Sequence, residues 1–420
     1  MASSKPDIVN KPARGVSFYT PAQEPPAGTA VDPQPDGKPI PKLFTPLKIR
    51  GLTFQNRIMV SPLCQYSAPN GFHTLWHTTH LGGIVQRGPG LTFVEATAVQ
   101  ARGRITPQDS GLWLDEHKTP MRQSVEFAHS QGQKIGIQLA HAGRKASTVA
   151  PWLTFGALAT EKADGWPDDV VAASDMPFDE NHAKPRALSL AEIDQLKADF
   201  VSATKRAVDT GFDVIEFHCA HGYLMHNFLS PATNHRTDKY GGSFENRVRL
   251  PLEIAEAMRE VMPEDMPLFV RVSATDWLED AADYQGDSWK VSDTAEFASM
   301  IAGRGVDLID ISSGGNHPLQ KIKAGPGYQA PFAKAVKKAV GDRLLVSAVG
   351  SITTGKQAEE IIVGGKGEED TPLDVIMAGR TFQKDPFQVW TWAEDLNVSI
   401  YVPSQIGWAF GGRGTKKVNA

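Results

Sequence analysis

The 420-residue chain is short of cysteine, of long apolar runs and of blocks of one charge. Its two cysteines, Cys64 and Cys219, can neither staple a disulfide framework nor hold an iron–sulfur cluster, and this points to a reducing, cytoplasmic setting. No apolar run reaches the roughly 18 to 20 residues that span a bilayer, and Met1 to Asn10 lacks the apolar centre of a secretory signal. Lys and Arg number 43 against 48 Asp and Glu, a net charge of -5 with no like-charge block, so neither a nucleic-acid nor a membrane partner is expected.

Residues 1–42 are rich in Pro, Gly and charge, as in PAQEPPAG and DPQPDGKPIP, and read as an arm with little to bury, compatible with disorder. Residues 43–390 alternate short β-branched, apolar runs with longer helical stretches, the pattern of repeated βα units and a parallel sheet. Eight runs are present: Arg57 to Cys64, Leu91 to Val99, Lys134 to His141, Phe212 to Cys219, Leu268 to Thr275, Val306 to Gly314, Leu344 to Gly350 and Leu373 to Arg380. Eight strands close a barrel, so the expected fold is a single α/β domain, a (β/α)8 TIM barrel. The stretch from Ala142 to Leu188, between the third strand and its helix, is too long for a connection and reads as a lid. Residues 391–420 supply a helix and a basic tail ending GGRGTKKVNA.

Polar residues gather at the C-terminal ends of these runs, where barrel enzymes keep their chemistry: Cys64, Thr97, Gln138, His218, Arg271, Ser312 and Arg380. His218-Cys-Ala-His221-Gly-Tyr223 carries two imidazoles and a phenol at the end of the fourth run. Three readings fit: a clasp for a substrate oxygen with the phenol as proton donor, a metal site still needing a third ligand, or packing. Cys219 would face the helical layer. Arg271, in an apolar strand, needs an anion, either Glu216 or a ligand that becomes negative. Gln138 suits a heterocycle edge or a satisfied core amide. Gly350 and Gly379 end the last two strands, with Arg380 next, and together suit a phosphate, although a glycine there is often just a turn. Cys64 alone reads as a small hydrophobe.

The segments SPLCQYS, EATAVQARGRITP, QLAHAGRKA, GFDVIEFHCAHGYLMHNFLSPATNHRTDKYGGSFENR, RVSATDW and PGYQAPFA resemble, in order, the Old Yellow Enzyme family of FMN-dependent ene-reductases, and most closely its thermophilic-like, bacterial-type branch. The arm resembles a fungal-type extension. The resemblance implies FMN at the barrel mouth, with Pro62, Leu63, Cys64, Ala96 and Gln138 on the flavin, Arg271 at its N1–C2 edge, and Gly350, Gly379 and Arg380 near the phosphate. It recasts Cys64 as a redox-tuning residue. It implies NADPH or NADH as reductant and electron-poor alkenes as substrates, whose carbonyl or nitro oxygen His218 and His221 hold. Tyr223 is then the proton donor and Tyr66 a pocket wall, with no metal. A homodimer is also implied, but Ile406 stands before Gly407-Trp408 where bacterial members carry an intersubunit arginine, and Arg413 lies beyond that motif. The motifs leave three rivals: a dienoyl-CoA-reductase-like flavoenzyme, a non-catalytic flavin- or phosphate-binding barrel, and an aldolase-like barrel with Lys145 as its Schiff-base lysine.

Overall fold

A computed structural model describes residues 8–365 and 370–410; most of the basic tail, Arg413 included, lies outside them. Eight parallel strands close into a barrel in strict chain order: β1 (Ile58–Val60), β2 (Leu91–Ala98), β3 (Ile135–Ala140), β4 (Val214–Cys219), β5 (Leu268–Ser273), β6 (Leu308–Ser312), β7 (Leu345–Ala348) and β8 (Val375–Ala378). Each falls within one of the eight apolar runs. The strands are buried almost throughout, because the barrel interior covers one face and helices cover the other.

Alternation along the strands divides the core in two. Side chains of one parity, such as Ile215, Phe217 and Cys219, pack outward against helices including Leu190–Thr210 and Phe244–Val261. The other parity fills the barrel. There, Val214, Phe269, Leu308 and Met377 pack with Leu47, Ile49 and Phe54 of an antiparallel hairpin, Leu47–Ile49 with Leu52–Phe54, that plugs the N-terminal end. Two residues further along the same strands the inward positions turn polar: Glu216, Arg271 and Asp310. Another step gives His218 and Ser312. An apolar floor thus underlies a polar mouth.

The part of the proline-rich arm from Ala27 to Gln34 is docked rather than loose. Ala27 and Ala30 are buried, and the 28–31 stretch pairs with 399–401 through Val31 N–H to Ser399 O and Tyr401 N–H to Thr29 O, both close to 2.9 Å. Side-chain amides provide what the composition lacks in apolar surface. Gln34 bridges to Ser399 in both directions, and Gln133 and Asn56 donate to Ala27 O and Gly28 O. Gly28 is at φ +81°, with its Cα so close to Gly88 O that a Cβ would overlap it.

The lid spans the third βα connection and is pinned to the barrel top. Thr148 N–H donates to Ile105 O, Trp166 Nε1–H donates to Arg102 O, and the Trp152 ring meets Tyr66 edge-on at 5.6 Å.

Candidate active site

A cavity of about 540 Å³ opens at the C-terminal end of the barrel, within the range usual for small-molecule and cofactor sites. Pro62, Leu63, Cys64, Tyr66, Ala96, Gln138, His218, His221, Tyr223, Arg271, Gly350, Gly379 and Arg380 all line it. Ser312 of β6 lines it too, so residues from all eight strand ends or their loops meet at one place.

His218 and Arg271 are register neighbours on β4 and β5, and Arg271 is opposite Asp310 on β6. The sequence offered Glu216 as the carboxylate for Arg271. The structure places Asp310 there instead, with Arg271 Nε 3.0 Å from Asp310 Oδ2, a contact of opposite charges not aligned as a hydrogen bond. The guanidinium ends have no protein acceptor among the described residues and border the cavity. Glu216 accepts instead from Gln138 Nε2 at 2.6 Å, which commits that amide N–H and leaves Gln138 Oε1 for the cavity. Burial first, and then Asp310, raises the Glu216 pKa, against the pull of Arg271.

The His-Cys-Ala-His-Gly-Tyr segment folds tightly over the strand end. Ala220 N–H donates to His218 Nδ1 at 3.2 Å, and His221 stands at φ +62°, a conformation that the surroundings must enforce on a residue with a side chain. His221 N–H donates to Ser273 Oγ at 2.9 Å, and its carbonyl accepts from Lys145 Nζ at 3.0 Å. The two imidazole centroids are 5.2 Å apart at 85°, and Tyr223 lies 5.2 Å from His218. Burial and then the Arg271 charge hold both histidines well below the usual imidazole range, so both are neutral. Burial pushes the Tyr223 phenol up and keeps it protonated. Among the described residues no three His, Cys, Asp or Glu side chains gather as a metal site.

Lys145 donates to backbone oxygens of His221 and Gly315, and burial is the main cause of its pKa falling to about 7. It ties the lid to the loops after β4 and β6 and does not line the cavity. Cys64 carries a thiol raised by burial and by Asp109 and Glu95, so it is no thiolate nucleophile.

At the other end of the cavity Gly350 has φ +114°, and Gly379 precedes the short helix Arg380–Lys384, whose first N–H groups have no acceptor within the helix. Ser61 Oγ is buried there without a partner. A backbone cradle, an arginine, an open amide oxygen and an orphaned hydroxyl fit a phosphate joined to a flat heterocycle. Ser312 is visible in the sequence as a polar strand end without a role, whereas Asp310 and Asp109 are not; the partners of Asp310 lie far away in sequence, and inward parity on a barrel strand is the one signal that could have found it.

Residues 42–398 match the NADH:flavin oxidoreductase / NADH oxidase family. An NADH:flavin oxidoreductase of Gibberella zeae is 54% identical over 413 residues, covering 97% of each chain. An NADPH dehydrogenase of Bacillus subtilis is 42% identical over 371 residues, 87% of this chain and 99% of that one. Among solved structures, morphinone reductase superposes with a TM-score of 0.68 at 25% identity, covering 86% of this chain and 91% of its own. Motifs, barrel and cavity agree with these relationships, and the chain belongs to the NADH:flavin oxidoreductase family, that of the Old Yellow Enzymes.

Proposed function

We propose that the cavity is the catalytic site of an FMN-dependent ene-reductase that uses NADPH or NADH to saturate electron-poor alkenes. The observation that carries this reading is the meeting, in one cavity, of a phosphate-compatible glycine and arginine end with a neutral histidine pair and a protonated phenol.

FMN, when bound, supplies the hydride transfer between nicotinamide and alkene. Gly350, Gly379 and Arg380 would hold its phosphate, and Gln138 and Arg271 its ring, with Pro62, Leu63, Cys64 and Ala96 as the wall. Arg271 stabilises negative charge that builds near it, since its own counter-ion, Asp310, is poorly aligned. His218 and His221 hold a carbonyl or nitro oxygen, which draws electron density from the β-carbon of the alkene. Tyr66 closes the pocket beside Trp152 of the lid. Tyr223 gives its hydroxyl proton to the α-carbon; raised by burial, that phenol releases a proton only to a strongly basic centre.

No helix among the described residues is long and apolar enough to cross a membrane. A cytoplasmic setting and a homodimer complete the reading, the latter drawing on Trp408 and Phe410, exposed beside Ile406 at the C-terminal end of the described chain.

Anaerobic mixing tests the function. NADPH should bleach the flavin absorbance of the purified protein, and 2-cyclohexen-1-one should restore it with formation of cyclohexanone. A protein that holds no flavin, or is reoxidised by oxygen but never by the enone, contradicts the proposal.

A further inference from the structure

Ser312, at the end of β6, has no place in the reading above, yet its hydroxyl lies 2.7 Å from His221 Nε2. That contact uses up the last but one polar atom of His221. The N–H is held by Ser273 and the carbonyl by Lys145, so only Nδ1 is left to face the cavity. His218 is the mirror case. Its Nδ1 accepts from Ala220 N–H, which fixes the proton of the neutral ring on Nε2 and makes that nitrogen a donor.

A neutral imidazole has one donor and one acceptor, so the direction of the Ser312 bond decides what His221 can do. If Nε2–H donates to Ser312, Nδ1 carries a lone pair and repels a substrate oxygen. If Ser312 O–H donates to Nε2, Nδ1 carries the proton and both histidines present donors to one point. The hydroxyl has no other protein partner among the described hydrogen bonds, so it is free to turn either way until His221 or a ligand selects.

We infer that Ser312 is a positioning residue for the substrate clasp: by donating to His221 Nε2 it holds His221 as the Nδ1–H tautomer, opposite in proton placement to His218. The clasp is thus built from two histidines with different protonated nitrogens, each set by a partner behind the ring. This rests on the proposal that the pair holds a substrate oxygen.

The tautomer is readable directly by nitrogen NMR of histidine-labelled, flavin-loaded protein, with and without 4-hydroxybenzaldehyde as the oxygen-bearing probe. The expected spectrum assigns a protonated Nδ1 to His221 and a protonated Nε2 to His218 in the complex. Ser312→Ala should mix the two His221 tautomers in the free protein and weaken the probe by roughly five- to tenfold, the size of one neutral hydrogen bond. Ser312→Thr should restore both, which a merely space-filling serine would not require. A probe that binds while His221 of the unaltered protein carries its proton on Nε2 overturns the inference and leaves the function standing, as does a Ser312→Ala protein with unchanged tautomer and affinity. A flavin-loaded protein that ignores the probe overturns the function itself.

Discussion

The two ends of the barrel are made from the same strands and differ in almost everything else. At the floor, Val214, Phe269 and Leu308 meet Phe54 of the hairpin in an apolar plug. At the mouth, two to four residues along, the inward positions are Glu216, His218, Arg271, Asp310 and Ser312. There the backbone holds Tyr66, His221 and Ser351 at positive φ, and Ser61 and Glu216 keep buried polar atoms without partners. The floor has the chemistry of a structure that needs only to persist. The mouth retains unmet hydrogen-bonding capacity, and that is what a bound ligand can use; positive φ alone does not mark it, since Arg50 in the turn of the floor hairpin also stands at φ +49°.

The sharpest way to separate the ends is to remove one oxygen at the mouth. Tyr223→Phe should leave reduction of the protein by NADPH within about twofold, while slowing reoxidation by an enone roughly 100- to 10,000-fold, the usual worth of a positioned proton transfer. Rapid mixing of each half-reaction measures this, and equal loss in both removes Tyr223 as the acid. The floor should behave oppositely. Phe54→Ala empties fully buried space and should cost about 3 to 5 kcal/mol of stability in denaturant titrations, with turnover per folded molecule unchanged. A turnover that fell with stability would mean that floor and mouth are coupled.

A smaller effect lies in the loop after β2, at the mouth. Burial is the largest cause of Asp109 having its pKa raised from 3.8 to about 7, against hydrogen bonds from Thr106 and from the Ile105 and Thr106 backbone. Between those values the native state keeps a proton that the unfolded chain has released. Its contribution to stability is complete below pH 3.8 and lost as pH rises through 7. Asp109→Asn should therefore flatten the fall in stability over that window, as followed by thermal unfolding at several pH values.

Much of this was legible in the sequence because barrel strands are buried on both faces, and eight apolar runs stand out as such. Of the polar residues at their ends, Cys64, Gln138, His218, Arg271, Ser312 and Arg380 converge on the cavity, while Thr97 is turned away from it and bonds Glu95 O and Ser110 Oγ. What escaped was pairing. Arg271 faces Asp310 rather than Glu216 because strand register, which composition does not reveal, puts residues 39 apart in sequence side by side. Composition suggested a loose arm, but Gln34, Gln133 and Asn56 anchor it by side-chain hydrogen bonds to backbone, and such bonds leave no hydrophobic pattern.

Whether FMN and the histidine pair share one cavity is tested most directly by the visible spectrum of the flavin-loaded protein. Titration with 4-hydroxybenzaldehyde should raise a long-wavelength charge-transfer band that His218→Ala and His221→Ala each weaken. A spectrum unmoved by the phenol, or a band indifferent to both substitutions, would contradict a shared cavity.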